Sequence, residues 1–578
     1  FPMISKRSFF SRVNPAKYLL SICFILLLQQ AIGQSNQSYD LVIYGATSAG
    51  ISAAIQGSRM GKKVVLIEPS GRIGGLTSGG LGQTDIGNKQ AIGGLSREFY
   101  QNIKQHYQQS ENWIWQKRET YRDGGQTRTS GNEDAMWTFE PSAALKVYKA
   151  MLSKEANITL VYKQQLNRKN GVIKLKESIK SIQMETGEVY SGKMFIDCTY
   201  EGDLMAAAGV SYTVGRESNS QYGESLNGVQ ANKLGLSLRK TVSLNGYYHN
   251  FIESVDPYIV KGNSQSGLLP FINKDKPGID GMADHKIQAY CYRMTLTNHP
   301  ENRTPFLKPE GYNDMDYELL FRNYEAADGL VNKMYNYGDP LVPWINSDMP
   351  NRKTDTNNQK GFSTDFIGQN YAYPEATYEE RLNIADRHKK YQQGLMWSLA
   401  YHPRIPKEVR DVVSKWGLCK DEFENGDGWS GQLYIREARR MISDYVMSQK
   451  NCEQFEVVQD PVGMGAYGMD SHNVQRYVDL NGFVKNEGNV EAHVSSPFPI
   501  SYKSIVPKKT EATNLFVPVC LSASHIAFGS IRMEPVFMVL GQSTAIAACI
   551  AIDKNYHAQE LPYQELKNML ISYGQVLQ

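Results

Sequence analysis

Histidine is scarce in this chain, ten in 578 residues, and two of the ten stand where an imidazole could move a proton. His472 lies in Met469-Asp470-Ser471-His472-Asn473, just after the glycines Gly463, Gly465 and Gly468, with Asp470 or Asn473 available to orient its ring. His525 competes with it from the segment Ser522 to Pro535 near the C-terminus. Near neutral pH an imidazole is suited to take the hydroxyl proton of a CH–OH carbon while hydride leaves that carbon for an acceptor. Arg293, on a strand expected over Tyr290 to Thr297, is the third catalytic candidate, as a clamp for a carboxylate. Arg436, Arg439 and Arg440 with Glu437 offer the same chemistry, although their spacing also fits an ion-paired helix face. Lys353, Asp355 and Asn357 can hydrogen-bond sugar hydroxyls or cap a loop. Neither a CxxC pair nor an HExxH helix occurs, so a metal site has no local support.

Such side chains need a scaffold, and its clearest sign is N-terminal. Tyr39 to Tyr44 is a short apolar β-rich run that feeds into Gly45-Ala46-Thr47-Ser48-Ala49-Gly50. Ile51, Ala53, Ala54 and Ile55 then give a helical apolar face ending near Gly61, and Lys62 to Glu68 reads as a second strand closed by an acid. Strand, tight turn, helix, strand and acid form the context in which a glycine pattern predicts a dinucleotide site. Gly45 permits the sharp turn, Gly50 lets helix and strand approach, and the helix start at Ser48 presents amide groups to a pyrophosphate. Glu68, 18 residues beyond Gly50, can accept both ribose hydroxyls and disfavours a 2′-phosphate. Thr47 stands where the middle glycine of the pattern would be, which narrows the approach to phosphate.

Three further stretches extend the scaffold. From Gly71 to Gly94 nine of 24 residues are glycine, a density suited to backbone passing close to an extended ligand; Gly74, Gly75, Thr77 and Ser78 are its candidate contacts. Ile158 to Val161, Val172 to Lys176, Ile179 to Met184 and Val189 to Ile196 read as a meander of strands. It ends in an acidic turn holding Asp197, Gly202 and Asp203. Near the C-terminus, Asn514 to Cys520 reads as a strand, followed by Gly529, Arg532, Met533 and a helix from Pro535 to about Ile552 whose Gly541 suits close packing on the sheet.

The strings YGATSAG, EPSGRIGGLTSGGLGQTDIG, DCTYEGDLMAAAG and SASHIAFGSIRMEPVFMVLGQS resemble the FAD-dependent oxidoreductase family found among secreted bacterial flavoproteins. IQAYCYRMTLT, KTDTNN, WGLCKDEF, LYIREARRM and YKSIVPK follow in the order expected between them, so the likeness spans nearly all of the chain after its leader. It implies an α/β fold: a Rossmann-like, three-layer, glutathione-reductase-like FAD domain with a large inserted α+β substrate or cap domain. The expected division is residues 1–33 leader, 38–215 first FAD part, 216–498 insertion and 499–578 second FAD part. FAD is the implied cofactor, with the amino end of the Pro535 helix facing the flavin pyrimidine. No histidine falls between Gly45 and Gln105, where tethered flavoproteins carry one, so non-covalent flavin is expected, with attachment at His472 or His525 left open. The insertion holds Tyr290, Tyr292, Trp344, Trp397, Trp416, Trp429 and Tyr434, a set that lines a substrate cap or fills a core. The favoured activity is oxidation of a hydroxyl of a sugar, glycan or related polyol. The alternatives are reduction of an activated C=C bond, which would want arginines at the reacting carbon, and a carbohydrate-binding protein retaining FAD. Nothing supports a polysaccharide lyase architecture. The electron acceptor is unidentified, with oxygen, a quinone or a redox partner preferred over nicotinamide.

The leader rests on Lys6, Arg7, Arg12 and Lys17 ahead of an apolar run from Tyr18 to Leu28 and small residues at Ala31 and Gly33. This reads as an export signal cleaved before Gln34 and implies a periplasmic or secreted protein. Ser5 to Phe10 resembles a twin-arginine signal with lysine at the first position, although an ordinary basic start is favoured. Eleven apolar residues fall short of the roughly 20 that span a bilayer, and no other stretch is expected to span one. Lys+Arg 62 against Asp+Glu 59 becomes 58 against 59 without residues 1–33, which excludes the basic surface of a nucleic-acid binder. Export permits a Cys419–Cys452 disulfide, while Cys198, Cys520 and Cys549 read as buried thiols.

Overall fold

The computed structural model describes residues 37–122, 133–231, 236–237, 249–251, 254–327 and 344–578, together with Pro2. Apart from Pro2, the leader expected at residues 1–33 lies outside them. Strand β1 (Gln37–Tyr44) runs into helix α1 (Ser48–Arg59) and back through β2 (Val64–Glu68), as the alternation of apolar strand, glycine turn and helical face requires. Strands β3 (Ile158–Tyr162), β4 (Val172–Leu175), β5 (Ser178–Gln183) and β6 (Val189–Asp197) complete the order β3-β2-β1-β6-β5-β4.

β3, β2, β1 and β6 are mutually parallel, whereas β4, β5 and β6 are antiparallel. The expected meander therefore holds only for its last three strands; β3 is a parallel edge beside β2. The C-terminal strand is also shorter than expected, because only Leu515–Phe516 forms a ladder, parallel to the end of β6. Both faces of this sheet are covered. Leu41, Ile43, Val64 and Leu66 join the core beneath α1, and Val42, Tyr44, Val65 and Ile67 join a second core on the opposite face. Two-sided burial is why these strands read as unbroken apolar runs.

The helix Glu534–Lys554 crosses the sheet's helical face. At Gly541 an added Cβ would lie 2.2 Å from Ala49 O, so this glycine serves the close approach of the helix to the start of α1 and not to the strands of this sheet. Its 21 residues include a window of mean hydropathy 1.8. That is long and apolar enough to cross a membrane, contrary to expectation, yet the helix is buried almost throughout as a core element.

Residues between the two parts carry a separate apolar cluster containing Tyr290, Tyr292, Trp344 and Trp429. It packs around a five-stranded antiparallel sheet and the helix Tyr378–Tyr401. Trp416 lies against this core, and Trp397 stacks edge-on to Tyr312. Tyr434 alone of the expected cap aromatics belongs elsewhere, to a small cluster with Leu76, Leu81 and Cys291. Cys198, Cys291, Cys419, Cys452, Cys520 and Cys549 are buried free thiols, so the Cys419–Cys452 disulfide is not formed.

Candidate functional site

The turn from β1 to α1 is shaped by what it must pass. Gly45 has φ +97°, and a Cβ there would lie 2.8 Å from Thr199 N; a Cβ at Gly50 would collide with Gly45 O. Thr47 caps α1: its hydroxyl accepts from Gly50 N at 3.4 Å and donates to Cys198 O at 2.7 Å, tying the turn to the end of β6. Ser48 is the first helical residue and is fully buried. No acidic side chain occupies the first turn of α1, which leaves its positive end suited to an anion.

Glu68 ends β2 beside that turn. It accepts hydrogen bonds from Ala46 N (2.9 Å) and Ser70 N (2.7 Å), and burial raises its pKa, with no cation among the groups acting on it. A buried carboxylate served by two backbone donors retains acceptor capacity for a ribose diol, so these residues fit a dinucleotide.

The glycine-rich loop, the turn after β6 and the Glu534–Lys554 helix meet at Glu534. Its carboxyl accepts from Thr77 Oγ1 and from Tyr200 OH, each at 2.7 Å, and burial pushes its pKa up. Glu534 escaped the sequence reading, although an acid beside a proline at a helix start is a recognisable signal. The helix end expected to face a flavin thus carries its own acid. Gly75 comes close enough that a Cβ would fall 2.3 Å from Tyr200 OH, and Gly74, with φ +95°, lies against the Tyr148 ring.

Several expected cofactor contacts have other work. Ser78 Oγ donates to Ile73 O and closes the loop on itself. Asp197 accepts from Thr199 N, Thr199 Oγ1 and Met205 N, and burial pushes its pKa up to about 6. Asp203 is gripped by Arg381, Arg439 and Arg168, and Gly202 adopts φ +68° to start the short helix Asp203–Ala207. Gly529 packs on Asp470 O, and Met533 is the buried residue preceding the Glu534–Lys554 helix.

The catalytic candidates gather on the other side of the loop. His472 Nδ1 lies 2.8 Å from Asp365 Oδ2, and its Nε2 lies 3.6 Å from Asp470 Oδ2. Asp365 also pairs with Arg436 at 3.0 Å, and Asp470 with Arg532 at 3.1 Å. Burial alone would raise both carboxyls; Arg436 and His472 instead hold Asp365 down to about 2, and His472 and Arg532 hold Asp470 below the usual range. The ring's orienter is therefore Asp365, 107 residues away in sequence, while Asn473 donates to His249 O. Arg532 reaches Tyr434 OH at 2.9 Å, and the Arg436 guanidinium lies over the Tyr434 ring at 4.4 Å.

Arg293 forms a two-pronged pair with Asp355, 2.7 Å in each arm. The same carboxylate accepts from Gly82 N and Gln83 N, both at 3.1 Å, which joins this pair to the glycine loop. Asp85 on that loop feels Arg293, Asp470, Asp355 and Arg532, and burial raises its pKa; it was overlooked among the glycines. His249 was overlooked too: its Nε2 lies 3.1 Å from Glu491 Oε1, and its Nδ1 lies 3.4 Å from Asn358 Nδ2.

His525 lies behind this assembly. Its Nδ1 is 2.7 Å from Glu437 Oε2, its Nε2 is 3.1 Å from Ser471 Oγ, and burial with the Arg440 and Arg216 charges pushes its pKa down to about 3. With both nitrogens engaged it supports the Met469–Ser471 strand instead of meeting a substrate. The Arg436–Arg440 segment is not a helix; Arg439 binds Asp203 and Glu375, and Arg440 binds Glu217 and Glu437 in the interior. Lys353 is likewise withdrawn, enclosed by Glu140, Asp421 and Glu422, and Asn357 caps its loop by accepting from Asn358 N.

A family model described as FAD dependent oxidoreductase matches residues 40–570. Comparison with curated proteins gives no match. Among solved structures, the chain is similar to the OxyS anhydrotetracycline hydroxylase from Streptomyces rimosus at 10% identity, covering 32% of this chain and 36% of that one, with TM-score 0.23. It is similar to GidA from Aquifex aeolicus at 13% identity, covering 32% and 34%, with TM-score 0.20. For PqsL, a probable FAD-dependent monooxygenase from Pseudomonas aeruginosa, the identity is 15%, the coverage 28% and 42%, and the TM-score 0.18. The matched regions span less than half of each of those chains.

Proposed function

The chain belongs to the FAD dependent oxidoreductase family, an enzyme with FAD as its cofactor, and from that premise we propose that it oxidises a hydroxyl of a carbohydrate or related polyol. We further propose a glutathione-reductase-like FAD domain split between residues 38–215 and 499–578 around the inserted 216–498. Gly45, Gly50, Glu68 and the opening turn of α1 would hold the adenosine diphosphate half, and Gly74, Gly75, Thr77 and Glu534 the flavin half. When bound, the flavin supplies a hydride acceptor at N5.

The observation that carries the reading is the Asp365–His472 pair at 2.8 Å. Asp365, kept ionised by Arg436, accepts the Nδ1 proton and thereby fixes the tautomer whose Nε2 is basic. Nε2 takes the hydroxyl proton as the carbon loses hydride, so an alcohol becomes a carbonyl, and the new imidazolium lies between Asp365 and Asp470. Each guanidinium beside it is matched by a carboxylate: Arg293 by Asp355, Arg436 by Asp365 and Arg532 by Asp470. That balance favours a neutral polyol over the carboxylate of an activated alkene. The leader at residues 1–33 supports export, and export favours oxygen, a quinone or a redox protein as final acceptor.

The test is anaerobic addition of sugars and alditols to the purified holoprotein. Loss of flavin absorbance near about 450 nm is expected. A spectrum unchanged by every sugar and polyol, but re-oxidised from the reduced state by an enoate, would overturn the assignment.

A further inference from the structure

Glu534 is a buried acid on which three segments of the chain converge, and its charge has no part in the proton and hydride steps above. Its Oε2 accepts from Thr77 Oγ1 of the glycine-rich loop, and its Oε1 accepts from Tyr200 OH of the turn after β6. The Tyr200 oxygen in turn accepts from Leu76 N at 2.9 Å, which leaves its one proton committed to the carboxyl. Two oxygens that both accept are the pattern of an ionised carboxylate. Burial opposes that charge, whereas Ser48, Thr77 and Tyr200 support it, with no cation among the groups acting on it.

This negative charge stands just behind accessible surface. Glu534 itself is 4% exposed, but Tyr200, which it binds, is half-buried, and so is Gly75, where a Cβ would fall 2.3 Å from Tyr200 OH. Glu534 is also the first residue of its 21-residue helix. The amino end of a helix is equivalent to about half a positive charge and would by itself favour an electron-rich ligand. A full negative charge on the first residue outweighs it, so the local field has the opposite sign.

We propose that Glu534 lowers the reduction potential of the bound flavin, its charge opposing the negative charge that the ring gains when it takes up two electrons and one proton. This rests on the placement of the flavin half at Gly74, Gly75, Thr77 and Glu534, and not on the identity of the substrate. The action is electrostatic and requires no contact between Glu534 and the ligand. A lowered potential makes the reduced flavin a stronger donor to the final acceptor and demands a more reducing substrate.

The test is the midpoint potential of the holoprotein, measured anaerobically with xanthine, xanthine oxidase and a reference dye, which needs no substrate of this enzyme. Glu534→Gln should favour reduction by about 10- to 100-fold, a rise of about 30 to 60 mV for a two-electron couple. Glu534→Asp, which keeps the charge, should stay close to the wild type, and Tyr200→Phe, which removes a donor that offsets the charge, should lower the potential. Placement is read separately: flavin fluorescence on dilution gives FAD affinity, and competition with ADP gives the affinity of the adenosine half. Gly75→Ala, whose Cβ would meet Tyr200 OH, should weaken FAD and not ADP. An effect on both ligands alike, or on neither, would put the flavin elsewhere and overturn the placement and the inference together. Weakened FAD alone, with a potential in Glu534→Gln that is unchanged or lower, or a rise as large in Glu534→Asp, would leave the placement standing and overturn the inference. Should Glu534→Gln fail to retain FAD, Tyr200→Phe decides, and a potential equal to or above that of the wild type overturns the inference.

Discussion

His472 Nδ1 lies 2.8 Å from Asp365, and the same carboxylate holds Arg436 at 3.0 Å. In the proposed mechanism this contact orients the ring from the side away from Asp470. His472→Ala should bind FAD normally and slow anaerobic flavin reduction by about 10²- to 10⁴-fold. Asp365→Asn should come close to it, because an amide no longer enforces the Nδ1–H tautomer. Stopped-flow reduction with the active polyol is the measurement, with the flavin-to-protein absorbance ratio as control. Reduction at the wild-type rate in either variant would remove the pair from the chemistry.

In the proposed function Glu68 accepts the adenosine ribose hydroxyls. In Glu68→Gln one of its two backbone partners, Ala46 N or Ser70 N, loses an acceptor, and the charge that favours a ribose diol is gone. Loss of charged hydrogen bonds worth about 1.5–3 kcal/mol predicts FAD binding weaker by about 10- to 100-fold. Titration of the apoprotein with FAD, followed by flavin fluorescence, reports it; equal affinities would place the adenosine elsewhere.

Arg293 and Asp355 are both buried, at 4% and 0% side-chain exposure, so removing one charge strands the other. Asp355→Asn should cost about 3–5 kcal/mol in urea unfolding. Substituting both, Arg293→Met with Asp355→Leu, should recover much of that loss, though Gly82 N and Gln83 N then lack their acceptor. A double variant no more stable than the single one would show that the loop contacts, and not the ion pair, dominate.

The N-terminal strand-turn-helix-strand unit was legible because its signals are local. Gly45, Gly50 and Glu68 lie within one strand-turn-helix-strand unit, where each residue type answers a short-range demand of geometry. The proposed reacting centre was only partly so. His472 stood out by type, but its partner Asp365 lies 107 residues away, and no spacing rule links a loop aspartate to a histidine beyond a different sheet. Glu534 was hidden because an acid at a helix start looks like ordinary dipole matching. For the aromatic residues the sequence left cap and core open, and Tyr290, Tyr292, Trp344 and Trp429 fill a core, since a large insertion must bury apolar area of its own before it can cap anything.

His388 offers a stability test that leaves the chemistry untouched. It is fully buried on the Tyr378–Tyr401 helix, its Nδ1 is 2.7 Å from Ile384 O, and burial pushes its pKa down from 6.5 to about 4. The unfolded chain therefore binds more protons than the folded one between these values, so this residue's contribution is full above about pH 6.5 and is lost as pH falls toward 4. The shift corresponds to a loss on the order of 3 kcal/mol. His388→Leu keeps the apolar contacts with Phe366 and Tyr290 and removes the titration. Asp197, raised to about 6, has the opposite sign, contributing stability below pH 3.8 that is lost as pH rises through 6. It is present in both proteins, so the difference between their urea midpoints isolates His388. That difference should shift steadily in favour of His388→Leu from pH 6.5 down to 4; a constant offset would mean that His388 is already protonated in the fold.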